Sequence, residues 1–293
     1  MKIGVVGLGI IGGSIVKAVS KKGLAECVVA YNRNAEVTAK ALAEGTIQQA
    51  AYEINDSFRD CEIIFICVPV DIVPFYVNKL SGLVNSECIL TDVGSTKMNV
   101  VNAIREIPLD CTFIGGHPMA GSESAGYNAA RHTLFENAYY VLTPFNDTNK
   151  THLNKLIEFI AALGGLPVIM EPPVHDYVTA AISHAPHVFA SAIVNMIKQL
   201  DDGDKLMHTL AAGGFKDLTR IASSSPVIWE SICLANSENI LKILSKFEEG
   251  IGSFKEILRK KDTEAIRDFF GSAKEYRDSF SERKLGSLIK TYD

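Results

Sequence analysis

Two segments carry residues whose types and spacing could do chemistry. In GGHPMAGSESAG, residues 115–126, one imidazole, His117, stands among glycines, alanines and serines with Pro118 directly behind it. No neighbour in sequence is large enough to bury it as a core residue. An imidazole titrates near neutral pH, which suits it to abstract a proton. Upstream, DVGSTK (92–97) offers Ser95, a hydroxyl suited to fixing the orientation and tautomer of that ring. His117 has no Cys, Asp or His at ligand spacing, so no metal site is expected. The second segment, SHAPH (183–187), places His184 and His187 at i, i+3 on one helical face. Farther on, GGFKDLTRIASSSPVIW (213–229) holds the single tryptophan, Trp229, and Arg220. The Arg220 guanidinium could clamp a carboxylate through two parallel hydrogen bonds, or pair within the chain with Asp217 or Glu230.

A third motif concerns a cofactor. GLGIIG (7–12) fits G-x-G-x-x-G between a strand pattern and a helix pattern. Gly7 permits the tight turn, Gly9 lets a pyrophosphate approach the backbone, and Gly12 allows close helix–strand packing. The loop Gly7, Gly9, Ile10, Ile11 and Gly12 is therefore expected to hold a dinucleotide at a helix N-terminus. The second strand ends in Tyr31-Asn32-Arg33-Asn34, without the carboxylate that would repel a 2′-phosphate. Asn32 can still bond a ribose hydroxyl, and Arg33 could pair with a phosphate or stack on adenine. Taken alone, these two residues permit NADP.

These groups need a frame that brings them together. KIGVVGLG (2–9), AECVVAYN (25–32), CEIIFICVP (61–69) and ECILTDVG (87–94) are apolar runs bounded by turn signals, as in strands buried on both faces of a parallel sheet. Helix-length segments lie between them at 12–22, 35–44, 71–80 and 96–106, and further strands are expected at 111–116, 138–144 and 166–170. This order predicts an α/β fold with a doubly wound sheet. Ligands then bind at the carboxyl ends of the strands, where Val68-Pro69, Ser95 and His117 sit. From about residue 174 only helical periodicities remain, which places a domain boundary near 172.

Composition narrows the function classes. A net charge of −5 without a long basic cluster argues against a nucleic-acid surface. The KEILRKK run (255–261) reads as a solvated helix face. Six cysteines without a CxxC pair suit a reducing cytoplasm, and MKIGVVGLG has no signal-peptide layout. Residues 178–197 are long and apolar enough to span a bilayer, yet His184, His187, Asn195 and Pro186 are costly there. A buried helix of a soluble domain is the expectation, with no membrane partner.

In order and spacing, GLGIIGGS, DVGSTK, GGHPMAGSESAG, HDYVTAAISHAPH and AAGGFKDLTRIASSSPVIW resemble the prephenate dehydrogenase family, which includes arogenate dehydrogenases. The resemblance covers nearly the whole chain. It implies an N-terminal Rossmann domain (1–172), with a mostly parallel sheet, and an all-helical C-terminal domain (173–293) that builds a homodimer. It also implies oxidative decarboxylation of prephenate to 4-hydroxyphenylpyruvate, in tyrosine biosynthesis. By the same resemblance, His117 is the catalytic histidine and Ser95 the serine that orients it beside the nicotinamide. Arg220 binds a substrate carboxylate, His187 lies at the substrate's side-chain end, and Glu123 lies near the pocket mouth. Gly213 and Trp229 form pocket wall or dimer contact. NAD is the family's commoner cofactor, and NADP stays open because Asn32-Arg33 replaces the usual acidic residue. The chain ends soon after its last helical pattern, so no appended regulatory or mutase domain is expected, and any inhibition by tyrosine would act at the active site. The competing readings are arogenate oxidation, another β-hydroxyacid dehydrogenase or imine reductase of similar build, and a non-catalytic NAD(P) sensor.

Overall fold

The computed structural model describes residues 1–121, 124–201 and 203–281. Eight strands form one sheet: β1 (Lys2–Val6), β2 (Cys27–Tyr31), β3 (Gln49–Ala51), β4 (Ile63–Ile66), β5 (Ile89–Asp92), β6 (Thr112–Pro118), β7 (Tyr139–Thr143) and β8 (Leu166–Ile169). Their spatial order is β3-β2-β1-β4-β5-β6-β7-β8. The first six are parallel, β7 runs antiparallel to β6, and β8 is parallel to β7. This is the doubly wound, mostly parallel sheet expected from the alternating pattern. Its strand order reverses between β1 and β4, the crevice where such sheets bind ligands.

Helices α1 (Ile10–Lys22), α2 (Ala35–Ala43), α3 (Val73–Ser81), α4 (Met98–Arg105) and α5 (Lys150–Leu163) accompany the sheet. Alternation along β4 shows why the strands read as continuous apolar runs. Ile63 and Phe65 pack into one cluster with Ile15 and Val19 of α1 and Leu156 and Ile160 of α5. Ile64 and Ile66 pack into a second with Val77 of α3 and Val100 and Ile104 of α4. Successive side chains point to opposite faces, and both faces are covered. Two elements escaped the pattern reading, β3 and α5. Strand β3 is a three-residue edge strand of sequence QAA with no apolar run to mark it.

After β8 the described chain is helical: α6 (Pro172–Thr179), a single π-turn (Ala180–His184), α7 (Ala185–Leu200), α8 (Leu206–Leu210), α9 (Gly213–Thr219), α10 (Pro226–Ala235), α11 (Ser237–Lys260) and α12 (Thr263–Asp278), with short 3-10 turns at Arg220–Ser223 and Ser279–Ser281. Helix α6 packs on α4, and α10 touches the 3-10 turn Val70–Ile72 that follows β4. The stretch Pro172–Leu200 is long and apolar enough to cross a membrane by length and composition. The expectation that residues 178–197 form a buried helix needs correction for the single chain. Of α7, only Ala185 and Ala190 are buried, while Met196 and Leu200 are exposed. Large apolar side chains are exposed on the other helices too, among them Leu210, Val227, Leu234, Leu241 and Phe270.

Candidate active site

The glycine loop leaves β1 at the strand-order reversal. Gly7 has φ +94°, and a Cβ there would lie 2.3 Å from the Cys67 carbonyl oxygen. At Gly12 a Cβ would lie 1.9 Å from the Gly7 carbonyl oxygen, so only glycine lets α1 start this close to β1 and β4. Gly9, which precedes α1, has no atom within 4 Å of its would-be Cβ. That open side, at the positive end of a 13-residue helix, suits an approaching pyrophosphate. Ile10 and Ile11 are half-buried against the core, and Val68 and Pro69 line the turn after β4. These residues fit a dinucleotide. Gly7→Ala should therefore lower stability by about 1–3 kcal/mol from backbone strain alone. Gly9→Ala should leave the Tm unchanged and weaken NAD binding, which thermal melts and a titration would separate.

Asn32 has a task that its sequence position did not reveal. Its Oδ1 accepts the Leu8 N–H at 2.9 Å, and its Nδ2 donates to the Asn34 carbonyl at 3.1 Å. The amide thus ties the end of β2 to the glycine loop. Arg33 is exposed beside it, and Asn34 caps α2 through the Glu36 N–H.

His117 lies near the carboxyl end of β6, opposite Val141 of β7, and is buried with 8% of its surface open. Its Nδ1 is 2.8 Å from Nε2 of His175, and Nδ1 of His175 is 2.8 Å from Oδ1 of Asp176. The hydroxyl expected to orient the ring is therefore replaced at Nδ1 by a second imidazole. Ser95 is half-buried in the loop after β5, and among the described residues no hydrogen bond joins it to His117. With Nδ1 occupied, Nε2 is the only nitrogen Ser95 or a substrate could reach. His175 and Asp176 lie midway along α6 and come from the HD pair of HDYVTAAISHAPH; an adjacent imidazole and carboxylate was the signal.

The loop holding Ser95 is braced from within. Asp92 ends β5, and its carboxylate accepts from Gly94 N–H, Gly116 N–H and the Lys97 ammonium. Lys97 is fully buried and also donates to the Gly116 carbonyl at 2.8 Å. This pair joins the ends of β5 and β6, and so sets Ser95 beside the strand that carries His117.

The helical domain supplies the remaining groups. The π-turn before α7 holds His184 and precedes His187; such turns are frequent at functional sites. His187 stacks on Trp229 with ring centroids 3.9 Å apart, and His184 meets the same indole edge-on at 6.0 Å. His187 Nδ1 bonds the Ser183 carbonyl, while His184 Nδ1 receives the Asn236 amide. Arg220 is exposed in the 3-10 turn after α9, which packs on α7, and Gly213 opens α9 with free space beside it. Arg220 and His187 thus share the helical domain, while Ser95 and His117 share the sheet edge. Glu123 lies outside the described residues. A cavity of about 450 Å³ beside Arg105, Phe113 and Phe145 contains none of these groups and sits at the opposite end of β6.

Burial holds the His117 imidazolium well below the ordinary histidine value, and the nearby His175 ring, Lys97 ammonium and His184 ring push it the same way. Burial also lowers His175, against the pull of Asp176, and brings His184 down to about 4. All three rings are thus neutral at neutral pH. The unfolded chain protonates them near pH 6.5, above their folded values, so it binds more protons in that window. Stability should therefore fall as pH drops below about 6.5, each ring contributing a slope of at most ~1.4 kcal/mol per pH unit. Urea unfolding at pH 7.5 and pH 5.5 checks this; equal stability at both would contradict the burial argument.

Comparisons with known proteins agree along the chain. Residues 15–169 match the family model described as prephenate dehydrogenase, nucleotide-binding domain, and residues 171–272 match prephenate dehydrogenase, dimerization domain. A prephenate dehydrogenase of Bacillus subtilis is 38% identical over 98% of this chain and 78% of its own length. The crystal structure of Aquifex aeolicus prephenate dehydrogenase with hydroxyphenyl propionate and NAD+ superposes with a TM-score of 0.87 at 30% identity, covering 96% of this chain and 98% of that one. Synechocystis arogenate dehydrogenase gives 0.83 at 29% identity, over 96% and 100%. The glycine cradle, the buried histidine at the β6 end and the matches along most of the chain lead to one assignment: the chain belongs to the prephenate dehydrogenase family.

Proposed function

We propose that the chain oxidises and decarboxylates prephenate to 4-hydroxyphenylpyruvate, with His117 as the proton acceptor. The observation that carries this reading is a neutral, buried imidazole at the β6 end with Nδ1 tied down and Nε2 left for substrate. NAD on the glycine loop supplies the hydride acceptor. His117 Nε2 takes the ring hydroxyl proton as a carbonyl forms at the ring carbon losing hydride. The carboxylate at the opposite ring carbon leaves as CO2, and its bonding electrons restore aromaticity. The proton then returns from Nε2 to the phenolate oxygen, so no net proton is consumed. The residues around His117 hold the reactants and exclude water, the larger part of such catalysis.

In this reading residues 1–172 bind nucleotide, through Gly7, Gly9, Ile10, Ile11, Gly12, Asn32, Arg33, Val68 and Pro69. Residues 173–293 complete the substrate site and pair two copies. Arg220 clamps a substrate carboxylate and His187 meets the side chain, with Glu123 and Gly213 at the pocket mouth and wall. Ser95 sits between ring and nicotinamide. The exposed apolar faces of α7, α10 and α11 suit burial in a homodimer, and no membrane or nucleic-acid partner is proposed for this cytoplasmic enzyme. The likeness to an arogenate dehydrogenase makes arogenate the competing substrate. NAD is the proposed cofactor; the absence of a carboxylate at Asn32 beside exposed Arg33 leaves NADP possible.

One assay tests the whole reading. Absorbance at 340 nm is followed with prephenate, arogenate or a 3-hydroxyacid, each with NAD and with NADP. The expected result is highest kcat/KM for prephenate with NAD. Turnover of arogenate alone would reassign the substrate, and tight NAD binding without turnover would favour the sensor.

A further inference from the structure

We infer that His175 and Asp176 are positioning residues that fix which nitrogen of His117 accepts the proton, and that they do so only while α6 is docked on α4. The inference rests on the proton-acceptor reading of His117. It begins at Asp176, whose Oδ1 accepts the Lys97 N–H at 2.7 Å and whose Oδ2 accepts the Met98 N–H at 2.9 Å. A carboxylate held through both oxygens by backbone N–H groups acts as an acceptor, so His175 Nδ1 must donate to it. Neutral His175 then carries its lone pair on Nε2. The 2.8 Å contact from that atom to His117 Nδ1 needs one proton, and only His117 can supply it. A proton on Nδ1 leaves the His117 lone pair on Nε2. Among the described residues Nε2 has no protein partner, so it stays open to a substrate hydroxyl.

The same carboxylate couples this choice to domain docking. Helix α4 receives no capping bond from its own first flanking residue, Lys97. Asp176, reaching across from α6, takes its two leading N–H groups instead, where a negative charge is favoured. The bonds therefore run from the sheet domain (Lys97, Met98) to α6 (Asp176, His175) and back to the sheet domain (His117). Lifting α6 would break both the cap and the tautomer lock. Asn236 steadies the far side of this link by donating to the Asp176 carbonyl and to His184. When His117 gains a proton, its Nδ1–H still points to a nitrogen backed by a carboxylate, which stabilises the imidazolium.

The test reads the tautomer directly, in protein labelled with ¹⁵N-histidine, by long-range ¹⁵N–¹H correlation at neutral pH with NAD bound. The expected spectrum shows His117 protonated at Nδ1 and unprotonated at Nε2, with peaks assigned by their loss in His117→Asn. His175→Leu removes the acceptor; it should lose the Nδ1–H preference and lower kcat by about 10²-fold or more, with KM for prephenate within a few-fold. His175→Gln offers an amide oxygen to the same N–H and should restore kcat to within about tenfold. Asp176→Asn should mix the tautomers, and the two His175 variants carry the test if it does not fold. Wild-type His117 protonated at Nε2, or His175→Leu with native kcat, would overturn the inference. The spectrum needs no turnover, so it can fail or hold apart from the substrate assignment.

Discussion

His117→Asn is expected to lower kcat by about 10²–10⁴-fold while leaving NAD affinity unchanged. That corresponds to ~2.7–5.4 kcal/mol of lost transition-state stabilisation. Asparagine keeps a donor where Nδ1 sits, so the bond to His175 Nε2 can persist and the site need not collapse. It removes only the basic nitrogen. The glycine loop lies on β1 and α1, away from β6, so a titration with NAD should match the wild type. A variant with near-native kcat would take His117 out of the proton transfer.

Lys97→Met is expected to cost about 3–5 kcal/mol of stability, because it strands a buried carboxylate. Lys97 and Asp92 are both fully buried, and they face each other between β5 and β6. Burial alone lowers Lys97, and Asp92 is the main group holding its charge. Removing the ammonium leaves Asp92 with two backbone donors and no countercharge. Adding Asp92→Asn to Lys97→Met should recover part of the loss, since no unpaired charge then remains. Urea unfolding of the three proteins measures this. If Lys97→Met lay within about 0.5 kcal/mol of wild type, the level of an ordinary surface change, the brace would carry no weight.

The sheet was legible because a parallel strand buried on both faces must be apolar throughout. IIFI in β4 shows this plainly, whereas QAA in β3 carries no such mark. The glycine loop was legible because its three glycines answer to contacts within a few residues or one strand away. His117 announced itself by its small neighbours. What surrounds it did not, because those meanings depend on distant partners. His175 lies 58 residues from His117 in sequence, and Asp176 lies 79 residues from the N–H of Lys97. Lys97 itself reads as a loop charge, since a sequence displays the charge of a side chain and hides its burial. The family resemblance gives Ser95 the task of orienting His117, and the motif does not show that a second imidazole, His175, already holds the ring at Nδ1.

The most direct test of the account is a single turnover with enzyme and NAD in excess over prephenate, recording absorbance at 340 nm and released CO2 together. The account predicts one NADH and one CO2 for each prephenate in the wild type, and the same stoichiometry slowed by about 10²-fold or more in His117→Asn. No NADH from prephenate in the wild type, or equal rates in the two proteins, would contradict it.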